Sequence, residues 1–219
     1  MTYCEKNDYD SAINDYSKAI QIKPDCAEAY FNRGNAYLYK NNDDNAINDY
    51  SKAIQIKPDY WGAYFYRGRA YYNKKDYDSV INDLSKAIKI KPDDAEAYYW
   101  RGWTYYDKND YDNAINDYSK VIQITPDNAD AYYWRGWAYS DKKDYDNAIA
   151  DLSKAIQIKP DDVGTYCFRG FVYSKKGDNK NAEKDVVKAL SIDPNNNNAK
   201  ELLEQIQKAE KENNGYINN

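Results

Sequence analysis

Hydrophobic and polar positions recur along this chain with a strict period. The stretches ending at successive prolines read DYSKAIQIKPD, DYSKAIQIKPD, DLSKAIKIKPD, DYSKVIQITPD and DLSKAIQIKPD. Pro24, Pro58, Pro92, Pro126, Pro160 and Pro194 are each 34 residues from the next. Such a period marks one supersecondary unit repeated. Start and stop signals divide each unit into two helices. Asp25-x-x-Glu28, Asp93-x-x-Glu96 and Asp127-x-x-Asp130 read as capping boxes or their acidic relatives for the first helix. Asp8, Asp76, Asp110, Asp144 and Asp178 read as N-caps of the second. The proline then ends it.

Places are counted from the first residue of each complete repeat: 27–60, 61–94, 95–128, 129–162 and 163–196. On a wheel at about 100° per residue, places 4, 7, 8 and 11 of the first helix cluster on one side, and places 2, 5, 6, 9, 12 and 13 on the other. The first side carries Tyr, Arg, Gly and Tyr in every full repeat, for example Tyr98, Arg101, Gly102 and Tyr105. It is the packing side. Ala or Val fills places 20 and 27, as in Ala46 and Ala53 or Val80 and Ala87.

With a large residue at place 4, Gly at 8, Tyr at 11, Ala at 20, an aromatic at 24, Ala at 27 and Pro at 32, the chain resembles the tetratricopeptide repeat family over nearly its whole length. The resemblance implies an all-α fold, a right-handed α-solenoid of stacked helix-turn-helix repeats with a C-terminal capping helix. It also implies that the second face of each first helix lines a concave groove. Residues 1–26 read as a partial first repeat, mainly its second helix, with Tyr3 at place 11. The chain is therefore expected to be a piece of a longer protein, the other reading being that helix 10–23 caps the N-terminal end. Residues 197–212 place Ala199, Leu202, Leu203, Ile206 and Ala209 at helical spacing and read as the polar-backed capping helix that solenoids need. Residues 213–219 read as a disordered Asn-rich tail.

Arg at place 7 (Arg33, Arg67, Arg101, Arg135, Arg169) departs from the family's usual apolar residue, and Asp stands at place 23 of every repeat. The two are expected to form a repeated, partly buried ion pair between the helices, for example Arg101 with Asp117, because a guanidinium fork pairs bidentately with a carboxylate. Anion binding by an arginine ladder is the competing reading. Most of the 26 Tyr occupy packing places and are expected to be structural.

Composition narrows the function. The net charge of -5 argues against nucleic-acid binding, and the absence of His removes His-based triads and His-ligated metals. Acidic pairs such as Asp76 and Asp78 lack the remaining ligands of a calcium loop and read as helix caps. No phosphate loop or activated Cys is visible, so no catalysis, cofactor or metal is expected. No apolar run approaches a membrane span, and no leader pattern opens the sequence. Cys4, Cys26 and Cys167 are odd in number and widely spaced, which predicts free thiols in a cytoplasmic setting.

The groove face is where repeats differ. It runs from Asn32 and Asn35 to the aromatic words WRGW, WRGW and FRGF. Large aromatics off the core mark a binding surface. The candidate groove residues are Phe65, Arg69, Tyr72, Tyr99, Trp103, Tyr106, Tyr133, Trp137 and Phe171, with Trp100 and Trp134 at place 6, where packing on the neighbouring repeat is an equal reading. Trp103 and Trp137 at place 9 carry the expectation most strongly. Carboxylate-clamp recognition is a weak reading, since Arg69 is the one basic residue among places 2, 5, 6 and 9. The expected role is a protein-interaction scaffold that binds an apolar or aromatic peptide bearing Lys or Arg, with acidic flanks at Glu28, Glu96, Asp130, Asp107 and Asp141. Self-association through the truncated N-terminal repeat, and glycan stacking on Trp103 and Trp137, are the alternatives.

Overall fold

The computed structural model describes residues 8–217, with side chains through residue 209. Twelve helices follow one another among the described residues: α1 (Tyr9–Ile22), α2 (Ala27–Tyr39), α3 (Asp43–Ile56), α4 (Trp61–Asn73), α5 (Tyr77–Ile90), α6 (Ala95–Asp107), α7 (Tyr111–Ile124), α8 (Ala129–Asp141), α9 (Tyr145–Ile158), α10 (Val163–Lys176), α11 (Asn179–Ile192) and α12 (Asn197–Ile217). They fall into a first unit ending at Asn109 and a second beginning at Asp110. The division separates α6 from α7, the two helices of one 34-residue repeat.

The second helix of each pair starts where its acidic cap was expected. Asp8, Asp76, Asp110, Asp144 and Asp178 accept from the backbone N–H three residues on, and Asn42 does the same for α3. The first helices begin one residue later than the capping-box spacing predicts. Asp94, Asn128 and Asp162 are the caps, and Cys26 caps α2 without a side-chain bond. The reason lies in the proline turn. Asp25, Asp93 and Asp127 follow the proline directly and belong to the turn, so the next residue supplies the cap. Each second helix ends at an Ile two residues before its proline, with the intervening residue extended, as at Lys57 and Lys159.

The two helices of a pair are joined by a left-handed residue at place 15: Asn41, Lys75, Asn109, Lys143 and Gly177. Gly177 takes this backbone at no steric cost, whereas the lysines carry a penalty of roughly 1 kcal/mol.

Small residues let the helices close. Ala46, Ala53, Ala114, Ala148 and Ala182 are fully buried. A Cβ on Gly34 would stand 2.7 Å from Tyr50 Cε1, so place 8 admits glycine alone where place 24 is tyrosine. The buried arginine pairs occur as expected within each unit. Arg33–Asp49 and Arg67–Asp83 in the first, and Arg135–Asp151 and Arg169–Asp185 in the second, are bidentate at 2.7–2.8 Å. Each arginine's third nitrogen donates to the Ser at place 25 of the preceding repeat, as Arg67 does to Ser51 and Arg135 to Ser119, both at 2.8 Å. Arg101 makes the same bond to Ser85. This arginine therefore links its own helix pair and also joins consecutive repeats. Burial pushes the Asp83 carboxyl up against the pull of Arg67. The pair matters less for net attraction than for what its loss would leave buried.

The last repeat rewrites this link. Val187, which is exposed, stands at the place of that Ser and Leu203 of α12 at the place of the arginine, so the polar joint is not repeated there. Leu203 packs against the cluster of Ala182, Val186, Ala199 and Ile206. The helix α12 runs to Ile217, five residues past the boundary expected at 212. No proline blocks it there, and Asn costs a helix only roughly half a kcal/mol. Asn218 and Asn219, like Tyr3 and Cys4, lie outside the described residues, while Cys26 and Cys167 are free thiols. Among the described residues no helix is long and apolar enough to cross a membrane.

Candidate functional site

In the first unit the variable face of α2, α4 and α6 is engaged with itself. Tyr50 donates its hydroxyl to Asn35 Oδ1 at 2.8 Å, so the polar end of the face satisfies a buried phenol. The Arg69 guanidinium lies between two rings, 5.6 Å from Tyr66 and 5.2 Å from Trp100. Trp100 packs edge-on against Tyr72 at 5.7 Å, the packing reading of place 6. The Trp103 indole N–H donates to the Tyr72 hydroxyl at 2.6 Å, and that hydroxyl donates to Asp107 Oδ2 at 2.5 Å. Burial, then the Asp107 contact, hold the Tyr72 phenol well above its usual range. Tyr99 lies 6.5 Å from Trp103, and Tyr106 is half-buried.

Phe65 does not belong to this face. It is 1% exposed and packs with Val80, Leu84 and Ala97. Place 5 is one step of about 100° round from place 4. Its side chain therefore drops into the seam toward the next repeat, where Ala97 leaves room. Phe31 does the same over Gly62, where an added Cβ would come within 3.3 Å of its ring.

The second unit differs. Trp137 of α8 stacks on Phe168 of α10 with centroids 3.8 Å apart and planes within 4°. The indole N–H of Trp137 is buried with no hydrogen bond of good geometry, and the Tyr133 phenol, which burial raises, is close enough for that N–H to lower it in part. Trp134 lies 5.2 Å edge-on from Tyr133 and 6.2 Å from Trp137. Phe171 is 38% exposed, with Lys175 Nζ 5.2 Å from its ring. Beside it opens a cavity of about 410 Å³. Tyr133, Trp137, Phe168 and Phe171 line it from α8 and α10, and Glu201, Leu202 and Gln205 line it from α12. Cys167 also lines it, and its thiol is pushed up by burial, then by Asp162 and Asp193, which suits packing and not nucleophilic attack.

Of the eleven sequence-derived groove residues, the structure brings Tyr133, Trp137 and Phe171 together at this cavity. Arg69, Tyr72, Trp100 and Trp103 form the contacts of the first unit. Phe168 and the α12 residues were missed. Asn198, Glu201 and Gln205, spaced three and four apart on one polar stripe of the capping helix, were the available signal. Several flanking acids are already engaged: Asp130 takes Lys159 at 2.7 Å and Asp107 takes Tyr72.

Comparisons with known proteins identify the repeat and the fold. Family profiles described as TPR repeat match residues 2–41, 34–75, 68–107 and 102–142, and tetratricopeptide repeat profiles match 129–162 and 163–196. No curated protein sequence matches the chain. Among solved structures, YrrB, described as a TPR protein with an unusual peptide-binding site, is 20% identical over 84% of this chain and 95% of its own, with TM-score 0.74. A MamA structure is 28% identical over 77% of this chain and 92% of its own, also at 0.74. MamA from Desulfovibrio magneticus RS-1 is 22% identical over 78% of this chain and 97% of its own, at 0.73. The fold is thus an all-α repeat solenoid, and the chain belongs to the tetratricopeptide repeat family, a family of protein-interaction scaffolds.

Proposed function

We propose that the chain holds a peptide segment of a partner protein against the variable faces of α8 and α10, anchored at the cavity of the second unit. One observation carries this reading: Phe171 is left 38% exposed at a place where Arg69 and Trp103 are engaged by neighbours. Apolar surface left beside an open cavity is stabilised when a ligand excludes water from it. The rings supply area and the polar residues of α12 supply direction. YrrB, by its description, binds peptide too, which agrees with this reading.

Panning a random peptide library against the full chain tests it. Enriched peptides are then measured by fluorescence polarisation against the parent and Phe171→Ala. Loss of a buried aromatic anchor is expected to weaken binding roughly tenfold or more. No enrichment, or equal affinity for both proteins, would remove the cavity as the anchor.

A further inference from the structure

We infer that the cavity of the second unit takes the side chain of an arginine on the bound peptide, a reading that rests on the peptide-binding proposal above. The cavity has two unlike kinds of lining. Tyr133, Trp137 and Phe171 offer ring surface, and Glu201 and Gln205 of α12 offer carboxylate and amide oxygens. A planar guanidinium matches both at once. Its faces stack on rings while its edge donates to carboxylate and amide oxygens, and its methylene stem covers Leu202. A purely apolar side chain would strip water from Glu201 and Gln205 and return no hydrogen bond. An ammonium would meet the carboxylate without lying flat on a ring.

The charges agree. Glu201 lines the cavity, and Asp162 and Asp193 act on Cys167 in its wall. Lys175 is held over the Phe171 ring. Lys159 and Lys176 reach Asp130 and Asp146 instead. The volume of about 410 Å³ admits one long side chain with adjoining backbone.

The chain already holds one arginine in this manner. At place 9 of the first unit, Arg69 lies between Tyr66 and Trp100. At the same place in the second unit stand Trp137 and Phe171. The arginines of that unit, Arg135 and Arg169, are committed to Asp151 and Asp185. The guanidinium that this aromatic surface fits must therefore come from another molecule.

Isotope-labelled full chain is titrated with N-acetyl-arginine-N-methylamide and with its citrulline, lysine and tryptophan counterparts, reading the Trp137 indole N–H and the Gly164 amide by NMR. Citrulline keeps the shape and removes the charge. The arginine probe is expected to move both signals saturably and to bind roughly tenfold more tightly than the citrulline probe. Glu201→Gln, on an exposed helix face, is expected to erase most of that difference. The assignment is overturned if the arginine probe moves neither signal, if any other probe binds as tightly, or if Glu201→Gln leaves the ratio unchanged. A library-derived peptide that loses affinity to Phe171→Ala yet tolerates replacing its arginines by citrulline would overturn the arginine and leave the peptide site standing. Failure of every peptide would remove both.

Discussion

In the first unit, place 9 holds Asn35, Arg69 and Trp103, and each has a neighbour that uses its polar group: the Tyr50 hydroxyl, the faces of Tyr66 and Trp100, and the Tyr72 hydroxyl. In the second unit, place 9 holds Trp137 and Phe171. Trp137 has an unsatisfied indole N–H, and Phe171 a ring more than a third exposed beside a cavity. The surrounding frame is the same in both: glycine at place 8, the bidentate arginine and the serine link. One variable place therefore decides whether a groove face is spent on the fold or left for a ligand. A repeat protein can change its ligand there without disturbing the helix pairs, because the frame and the face are on opposite sides of one helix.

The largest effect tests the shared frame. Arg67→Ala and Arg135→Ala each leave a buried aspartate, Asp83 at 1% and Asp151 at 6% exposure, without its partner. Each is expected to destabilise by about 3–5 kcal/mol. Urea unfolding should show similar losses for the two. If one variant unfolds like the parent, the units do not share the frame. Adding Asp83→Ala to Arg67→Ala should return part of the loss, since the cost comes from the orphaned charge.

Next comes the contrast between the two indoles. Trp103→Phe and Trp137→Phe remove similar volume, but only the first breaks an observed hydrogen bond to Tyr72. The difference between them is expected to be about 1 kcal/mol, with Trp103→Phe the less stable, because deleting an unsatisfied buried donor relieves a cost. Equal losses in parallel thermal melts would mean that the faces are not differently spent.

The frame was legible in the sequence for a physical reason. A period of 34 residues forces the same environment on each copy, so Pro24 through Pro194, the place-7 arginines and the second-helix caps could be placed without coordinates. The face was less legible, because its residues are defined by what the next repeat offers them. Phe65 carries the same signature as a groove aromatic, yet it packs with Ala97 of the next repeat's first helix in the core. Phe168 stands at the same place as Trp134, yet Trp137 covers it to 6% exposure. The cavity lay beyond the complete repeats, since part of its lining comes from α12, where Glu201 and Gln205 put polar groups at places 5 and 9. The serine link was hidden because a Ser within a helix reads as neutral, and only the arginine of the next repeat gives it a role.

A smaller effect is read by pH. Burial raises the Tyr50 phenol far above its usual range, and Tyr72 is raised as well. In the unfolded chain phenols ionise near about pH 10. The protonated, folded phenols therefore contribute stability that is fully present below that pH and is lost as pH rises through their folded values. Leu84 and Leu152 stand at the place of Tyr50 in their repeats and do not titrate, while the second unit keeps a buried phenol there in Tyr118. Tyr50→Phe is expected to flatten the alkaline fall in stability above about pH 10, at the cost of roughly 1 kcal/mol at neutral pH from the lost bond to Asn35. Unfolding midpoints measured between neutrality and strong alkali give the slope. An unchanged slope would mean that Tyr50 opens to solvent before the unit unfolds.

The smallest expected change in stability is also the most informative for function. Phe171 stacks loosely on Phe168, with centroids 6.0 Å apart, carries Lys175 over its ring, and keeps 38% of its surface open to solvent. Phe171→Ala should therefore move the melting transition little, within about half a kcal/mol, as surface substitutions do. Tyr72→Phe, its counterpart in the first unit, takes away the bridge between Trp103 and Asp107 and should cost about 1 kcal/mol while leaving affinity for a peptide seated in the second unit unchanged. A residue that weakens binding without weakening the fold, set beside one that does the reverse, separates the ligand-facing surface from the self-engaged one. If Phe171→Ala destabilises as much as Tyr72→Phe, its ring is part of the second unit's packing. The contrast at place 9 would then be one of chemistry alone and not of use.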